Sequence, residues 1–221
     1  MTGPRTKQLF AAERAEVVAF ARRMAGDGLV AGTSGNVSRR VGGMIAITPR
    51  NRDYDAMTVE DVALIDLDGQ PRDTTRPAST EAPMHLAVYR AFDAGAVVHT
   101  HSPFATVIGT VATELPAVHY TIVTLGGPVR VAPYHLFGSD ELARAVADAG
   151  RDRSAVILGT HGAITWGDDL AQTYRRSVTL EWLAALYWRA CQLGSPRILT
   201  DEELDDVRRQ LERLDYAAAG R

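Results

Sequence analysis

Apolar residues fall in short runs along this chain, alternating with stretches whose apolar positions recur at helical spacing. Ala94-Gly95-Ala96-Val97-Val98 and Ala155-Val156-Ile157-Leu158 are short and continuous, as buried strands are. Met44 to Thr48, stopped by Pro49, and Ala63 to Leu67, ended by Asp68-Gly69, read as two more strands, and Val129 to Ala132 as another. Gly32-Thr33-Ser34-Gly35-Asn36-Val37-Ser38 is a glycine-punctuated turn leading into a strand. Helical spacing runs from about Thr6 to Asp27, where Gly28 is placed to end it. It returns from about Thr80 to Phe92, from a Ser139 cap to about Ala149, and from about Asp168 to Leu193. Ser102-Pro103-Phe104-Ala105 is helix-like, Thr58 caps a short turn, and Thr200-Asp201-Glu202-Glu203 is a capping box opening a last helix to about Leu214. Several strands follow one another with no helix between. The pattern therefore predicts an α/β fold of three layers, α/β/α, with a central mixed, mostly antiparallel sheet rather than a regular doubly wound one.

The chain has 221 residues, 46% of them hydrophobic and 23% charged, enough for one sizeable core. No linker, repeat or low-complexity stretch divides it, so a single domain over residues 1–221 is expected. The net charge of −3 is spread over interspersed acids and bases, which argues against nucleic-acid or membrane partners. The uncharged stretch from Ala94 to Thr113 holds two His, a Pro and four Thr, so it is no membrane span. The single cysteine, Cys191, can form no internal disulfide, and the polar first residues lack a signal-like apolar region; both fit a cytoplasmic protein.

Candidate chemistry gathers at strand ends. In His99-Thr100-His101, at the end of a buried strand, residues two apart face the same way, so both imidazoles can reach one point. His161 stands just beyond the Ala155–Leu158 run. The alternative is separately hydrogen-bonded histidines, but three imidazoles with an open fourth position match a catalytic zinc site. Cys191 lies in a long helical pattern, which excludes a cysteine-rich zinc knuckle. The Gly32–Ser38 loop offers backbone donors to an anion, or is a plain tight turn; it lacks the Gly-Lys-Ser/Thr ending of a P-loop. Ser79 and Thr80 are plausible caps at a helix start, where unpaired N–H groups favour an anion. Glu81 is then either a first-turn acid complementing the helix dipole or an acid/base group. His85, four residues on, reads as a buried, hydrogen-bonded histidine in preference to a ligand.

Gly32 to Ser38, Ile47-Thr48-Pro49, Ser79-Thr80-Glu81, His99-Thr100-His101 and His161-Gly162, in this order and spacing, resemble the class II aldolase/adducin family. The resemblance covers nearly the whole chain. It implies an aldolase that cleaves an L-fuculose-1-phosphate-like ketose 1-phosphate to dihydroxyacetone phosphate and a small aldehyde, with one zinc ion per subunit. It further implies a homotetramer with active sites between subunits. Carried onto this sequence, His99, His101 and His161 are the zinc ligands and Glu81 the acid/base. Thr33, Ser34, Gly35, Asn36, Thr48, Arg50, Ser79 and Thr80 make the phosphate and substrate pocket. Tyr120 is a catalytic tyrosine supplied across the subunit interface, and Phe137 and Tyr216 are further neighbour-supplied residues. One departure is Arg50-Asn51, which stands where the family often has Ser or Thr followed by Gly. Asn tolerates a left-handed backbone, and Arg50 adds a cation for phosphate or for another acid.

Relatives of the same fold include L-ribulose-5-phosphate 4-epimerases, which typically carry Asp at the position of Glu81, and decarboxylases of phosphorylated keto acids, whose carboxylate Arg50 would suit. A non-enzymatic adducin-like module would lack the catalytic set present here. Glu81 and Tyr120 favour the aldolase.

Overall fold

A computed structural model of the chain describes residues 10–214. The helices are α1 (Ala11–Gly26), α2 (Ala82–Ala91), α3 (Pro103–Val111), α4 (Asp140–Ala149), α5 (Leu170–Leu193) and α6 (Asp201–Arg213). The strands are β1 (Asn36–Val41), β2 (Met44–Ile47), β3 (Ala63–Asp66), β4 (Pro71–Asp73), β5 (Ala96–Thr100), β6 (Glu114–Leu115), β7 (Val129–Ala132), β8 (Ala155–Leu158) and β9 (Gly162–Gly167). They form one sheet in the order β4-β3-β2-β1-β5-β9-β8-β7-β6. Every neighbouring pair is antiparallel except β7 with β8, so the sheet is mixed and mostly antiparallel.

The two faces of the sheet are covered by different helices. On β5, Val97 packs with Met84, Leu86 and Val88 of α2 and Leu142 and Val146 of α4. Ala96 and Val98 point the other way, toward Val17, Ala21 and Met24 of α1 and Leu170 and Tyr174 of α5. On β8 the same alternation sends Val156 and Leu158 to the α2/α4 side, and Ala155 and Ile157 to α3 and α5. Covered on both faces, these strands show no polar alternation, which is why they read as continuous apolar runs.

Among the described residues, side-chain caps close three of the six helix N-termini, those of α4, α5 and α6. Ser139 accepts a bond from the Leu142 N–H, and Thr200 and Glu203 exchange bonds as a capping box. Helix α1 closes through Gly28 N–H to Ala25 O and Leu29 N–H to Met24 O. Helix α2 differs from expectation: it begins at Ala82, with Glu81 in the cap position, and Glu81 makes no side-chain cap bond. Its carboxylate is engaged elsewhere, as described below. Strands β4, β6 and β9 and the 3-10 turn Tyr120–Leu125 were not foreseen from the pattern. No helix among the described residues is long and apolar enough to cross a membrane.

Candidate metal and active site

His99 lies on the central strand β5, where it pairs with Asn36 of β1 on one side and Ile164 of β9 on the other. Successive side chains alternate across a strand, so His99 shares the α2 side of the sheet with Val97, and His101 follows on that side just past the strand end. His161 sits in the turn between β8 and β9, held by its own N–H to Leu158 O. That turn presses against β5 because Gly162 has no side chain; a Cβ there would meet Thr100 O at 2.1 Å.

The three imidazoles make a nearly equilateral, edge-on cluster, with ring centroids 4.8, 4.9 and 4.8 Å apart. Helix α2 delivers the fourth member from its cap position. Glu81 Oε2 is 3.2 Å from His99 Nε2, and Oε1 is 3.1 Å from His161 Nε2. One ligand atom from each of the four residues lies within 4.8 Å of all the others.

This donor set fits a divalent cation. His99 Nδ1 donates to Ala163 O at 2.9 Å, which leaves its Nε2 as the ligand atom in the neutral ring. Glu81 Oε1 is buried yet accepts no well-aligned hydrogen bond, although His161 Nε2 is within ion-pair distance. Such an orphaned carboxylate oxygen costs free energy unless a cation meets it. The electrostatics at Glu81 and His101 point the same way, and at His99 a proton competes for the same position. Burial pushes the Glu81 carboxyl upward, but His99 and His161 outweigh it and hold it well below the usual carboxylate range. Burial acts against the His99 cation, but the Glu81 charge and hydrogen bond raise its pKa. Burial, then the charges of His99 and His161, push His101 down to about 3, so protons do not compete for its ring nitrogen near neutrality.

Above the cluster opens a cleft of about 470 Å³, lined by Thr33, Ser34, Gly35, Asn36, Arg50, Ser79, Thr80, Glu81, His101, His161 and Phe137 among others. That volume is within the range of small-molecule sites. The Thr33–Asn36 loop is shaped by Gly35, which has φ +74° and whose Cβ would clash with His99 O at 2.8 Å. Tyr54 OH ties this loop down by donating to Ser34 O and Gly35 O at 2.9 and 2.7 Å. Among the described residues the N–H groups of Thr33 and Gly35 find no protein partner. The loop at 49–51 is joined to the segment at 77–80 by Arg50 N–H to Pro77 O and Ser79 N–H to Thr48 O. Asn51 takes φ 48°, the left-handed backbone expected of it.

The residues singled out in the sequence do not all meet here. Thr48 is buried, its hydroxyl accepts the Val37 N–H, and it does not line the cleft. Ser34's hydroxyl donates to Ala31 O within its own turn. Phe137 lies on the rim of its own chain's cleft. Tyr120 is half exposed, packs its ring at a tilt against His119 and does not line this cleft. Tyr216 lies outside the described residues. Six further lining residues stand outside the predicted site set: Ala31, Pro49, Asn51 as a contact in its own right, Tyr134, His135 and Thr160. The only signals at the last three were aromatic and histidine residues just before Phe137, and a Thr beside His161.

Residues 15–188 match the family model described as the class II aldolase and adducin N-terminal domain. The chain is 38% identical over 203 residues to a 5-deoxy-D-ribulose 1-phosphate aldolase of Bacillus thuringiensis, covering 90% of this chain and 95% of the relative. It is 36% identical over 180 residues to an L-fuculose phosphate aldolase of Escherichia coli, covering 80% and 83%. A solved L-fuculose 1-phosphate aldolase superposes with a TM-score of 0.87 at 32% identity, covering 90% of this chain and 95% of that one.

Proposed function

Because the chain belongs to the class II aldolase/adducin family, we propose that it is a zinc-dependent aldolase joining and cleaving dihydroxyacetone phosphate and a small aldehyde. One observation carries this reading: the Glu81 carboxyl group stands within one cluster with three converging imidazole nitrogens, at the floor of a cleft lined by loops rich in N–H and hydroxyl donors. His99, His101 and His161 would hold the zinc ion, which would supply a Lewis acid toward the ketose carbonyl and its adjacent hydroxyl.

The chain's own groups divide the remaining work. The free N–H groups of Thr33 and Gly35, the hydroxyls of Ser79 and Thr80, the Asn36 amide and the Arg50 guanidinium hold the phosphate. Glu81 is the proton-transfer group. In the direction of synthesis its carboxylate takes a proton from C3 of dihydroxyacetone phosphate, and the electron pair left there forms the bond to the aldehyde carbon. Tyr120 of a neighbouring subunit gives a proton to the new oxygen on C4. Cleavage is the reverse.

The substrate is a short ketose 1-phosphate with an apolar end. The Bacillus thuringiensis relative is named for a 5-deoxy sugar phosphate, and the rim here carries the exposed rings of Tyr134 and Phe137, suited to a methyl-terminated aldehyde. Tyr120 is exposed and does not line its own chain's cleft, and Trp182 and Trp188 also expose large apolar surface; both features support a homotetramer with sites between subunits. The free, exposed Cys191 suits the cytoplasm, where we place the enzyme.

Purified protein assayed with 5-deoxyribulose 1-phosphate and L-fuculose 1-phosphate, with coupled detection of dihydroxyacetone phosphate, tests this reading. Release is expected from at least one of them, lost on chelation and regained with zinc. No release from either by the zinc-loaded protein would overturn it.

A further inference from the structure

Behind Glu81, away from the cleft, a file of buried polar side chains crosses from β1 to α2. Asn36 Nδ2 donates to Glu81 Oε2 at 2.9 Å. The Asn36 carbonyl oxygen is in turn hydrogen-bonded to His85 Nε2. On the far side of that ring, His85 Nδ1 meets Ser38 Oγ at 2.7 Å, and Ser38 Oγ meets Tyr89 OH at 2.7 Å. His85 and Ser38 have no solvent exposure, and Asn36 is 2% exposed. The reaction proposed above uses Asn36 and Glu81 from this file and leaves His85 without a task.

We propose that His85 is a positioning residue, which fixes the Asn36 amide with its NH2 toward Glu81 and so holds the carboxylate in place for proton transfer. The inference rests on the aldolase reading for what Glu81 does, and on hydrogen-bond geometry alone for how His85 acts.

The polarity of the file follows from its end at Glu81. An ionised carboxylate accepts and cannot donate, so the Asn36 group facing it must be the NH2. The Asn36 oxygen then faces His85, and His85 Nε2 must carry the proton. His85 Nδ1 is left as an acceptor, which Ser38 Oγ–H satisfies. With the opposite tautomer the amide would turn over and set its oxygen 2.9 Å from a carboxylate oxygen, where the two repel. Burial keeps the ring neutral, with a pKa pushed down to about 3, so this single tautomer is retained throughout the working pH range. Both ends of the file are carried by rigid elements. Glu81 and His85 lie one turn apart along α2, and Asn36 and Ser38 lie two apart on the same face of β1.

Four variants and one spectrum test the role in the full-length, zinc-loaded protein. Histidine ¹⁵N shifts should show His85 as the Nε2–H tautomer; the Nδ1–H tautomer would overturn the proposal, and this readout needs no substrate. His85→Leu fills the space without a donor and should lower kcat about 10–100-fold, the scale of losing an outer partner of a catalytic group. KM and zinc content should stay at parental values. His85→Gln restores an N–H near the Nε2 position and should recover most of kcat. In a Glu81→Gln background, His85→Leu should cause no further loss, because the group it positions is already gone. Ser38→Ala, the milder change, should mix the two tautomers and lower kcat less, which keeps the test open if His85→Leu does not fold. Equal impairment of His85→Gln and His85→Leu, or an equal drop in the Glu81→Gln background, would leave His85 a structural residue only. If the parent protein releases no dihydroxyacetone phosphate, the aldolase reading fails, and the tautomer still decides the polarity of the file.

Discussion

The Nε2 atoms of His99 and His101 stand 3.0 Å apart, with His99 Nδ1 already committed to Ala163 O. In two neutral rings with Nε2 unprotonated, these would be two lone pairs facing each other, an arrangement that a shared cation stabilises and that its absence penalises. His99→Ala, His101→Ala and His161→Ala should each strip the protein of zinc and activity while the fold persists, as metal analysis and circular dichroism would show. His85→Ala should keep its zinc, because both ring nitrogens face Asn36 and Ser38 instead of the cluster.

Thr80 provides the cleaner test of the phosphate subsite. Among the described residues its hydroxyl has no protein partner, whereas Ser79 Oγ accepts the Glu81 N–H and helps place that residue. Thr80→Ala should weaken binding of the phosphorylated ketose by about 1–3 kcal/mol, the scale of a charged hydrogen bond left unmade. Measured affinity for inorganic phosphate should fall with it, and an unphosphorylated ketose should bind the parent poorly.

Gly162 couples the fold to the histidine cluster. An alanine there would bring Cβ to 2.1 Å from Thr100 O, so β9 must move away from β5 and take His161 with it. Gly162→Ala should cost about 1–3 kcal/mol of stability, as overpacking does, and weaken zinc binding. A parental Tm with parental zinc affinity would show that the turn relaxes freely.

Asp61 links the loops on either side of the cleft to acid stability. Arg52, beyond the Arg50-Asn51 loop, and Arg76, before Ser79, both bond its carboxylate, at 3.0 and 2.6 Å. Burial pushes its carboxyl up, but the Thr58 N–H and these two arginines prevail and lower it. A folded pKa below the unfolded value of about 3.9 contributes stability that is present above that pH. The contribution is lost as the pH falls from there through the folded pKa. Asp61→Asn should therefore have a lower Tm than the parent at neutral pH, and the two curves should converge in acid.

Much of this was legible in the sequence because the site is built at strand ends. The apolar run into His99-Thr100-His101 declared both the strand and the facing of its imidazoles, and the second run located His161. The mostly antiparallel sheet followed from strands that succeed one another without helices. Strand β9 was hidden because it begins at the turn glycine and shares its run with the His161 loop. The edge strands β4 and β6, three and two residues long, are too short for any period to register. The start of α2 was misplaced because Ser79 and Thr80 have cap chemistry, while Glu81 takes the cap position with its carboxylate drawn to the histidines. Thr48 has the hydroxyl of a ligand contact, and only the fold reveals that the hydroxyl serves Val37. Which chain's site Tyr120 or Phe137 completes depends on how the surface bends, which local pattern does not encode.

The central claim is that Glu81 transfers the proton, and one substitution separates that role from a helix-dipole acid. Glu81→Gln keeps the volume and an acceptor but removes the titratable carboxylate. As a dipole acid, Glu81 would contribute only about 0.3–1 kcal/mol to stability and nothing to turnover. The account predicts instead a loss of about 10²–10⁴-fold in turnover with zinc retained. Exchange of the C3 proton of dihydroxyacetone phosphate with solvent, followed by NMR in deuterated buffer, should stop. Exchange at the parental rate in the zinc-loaded Glu81→Gln protein would contradict the account.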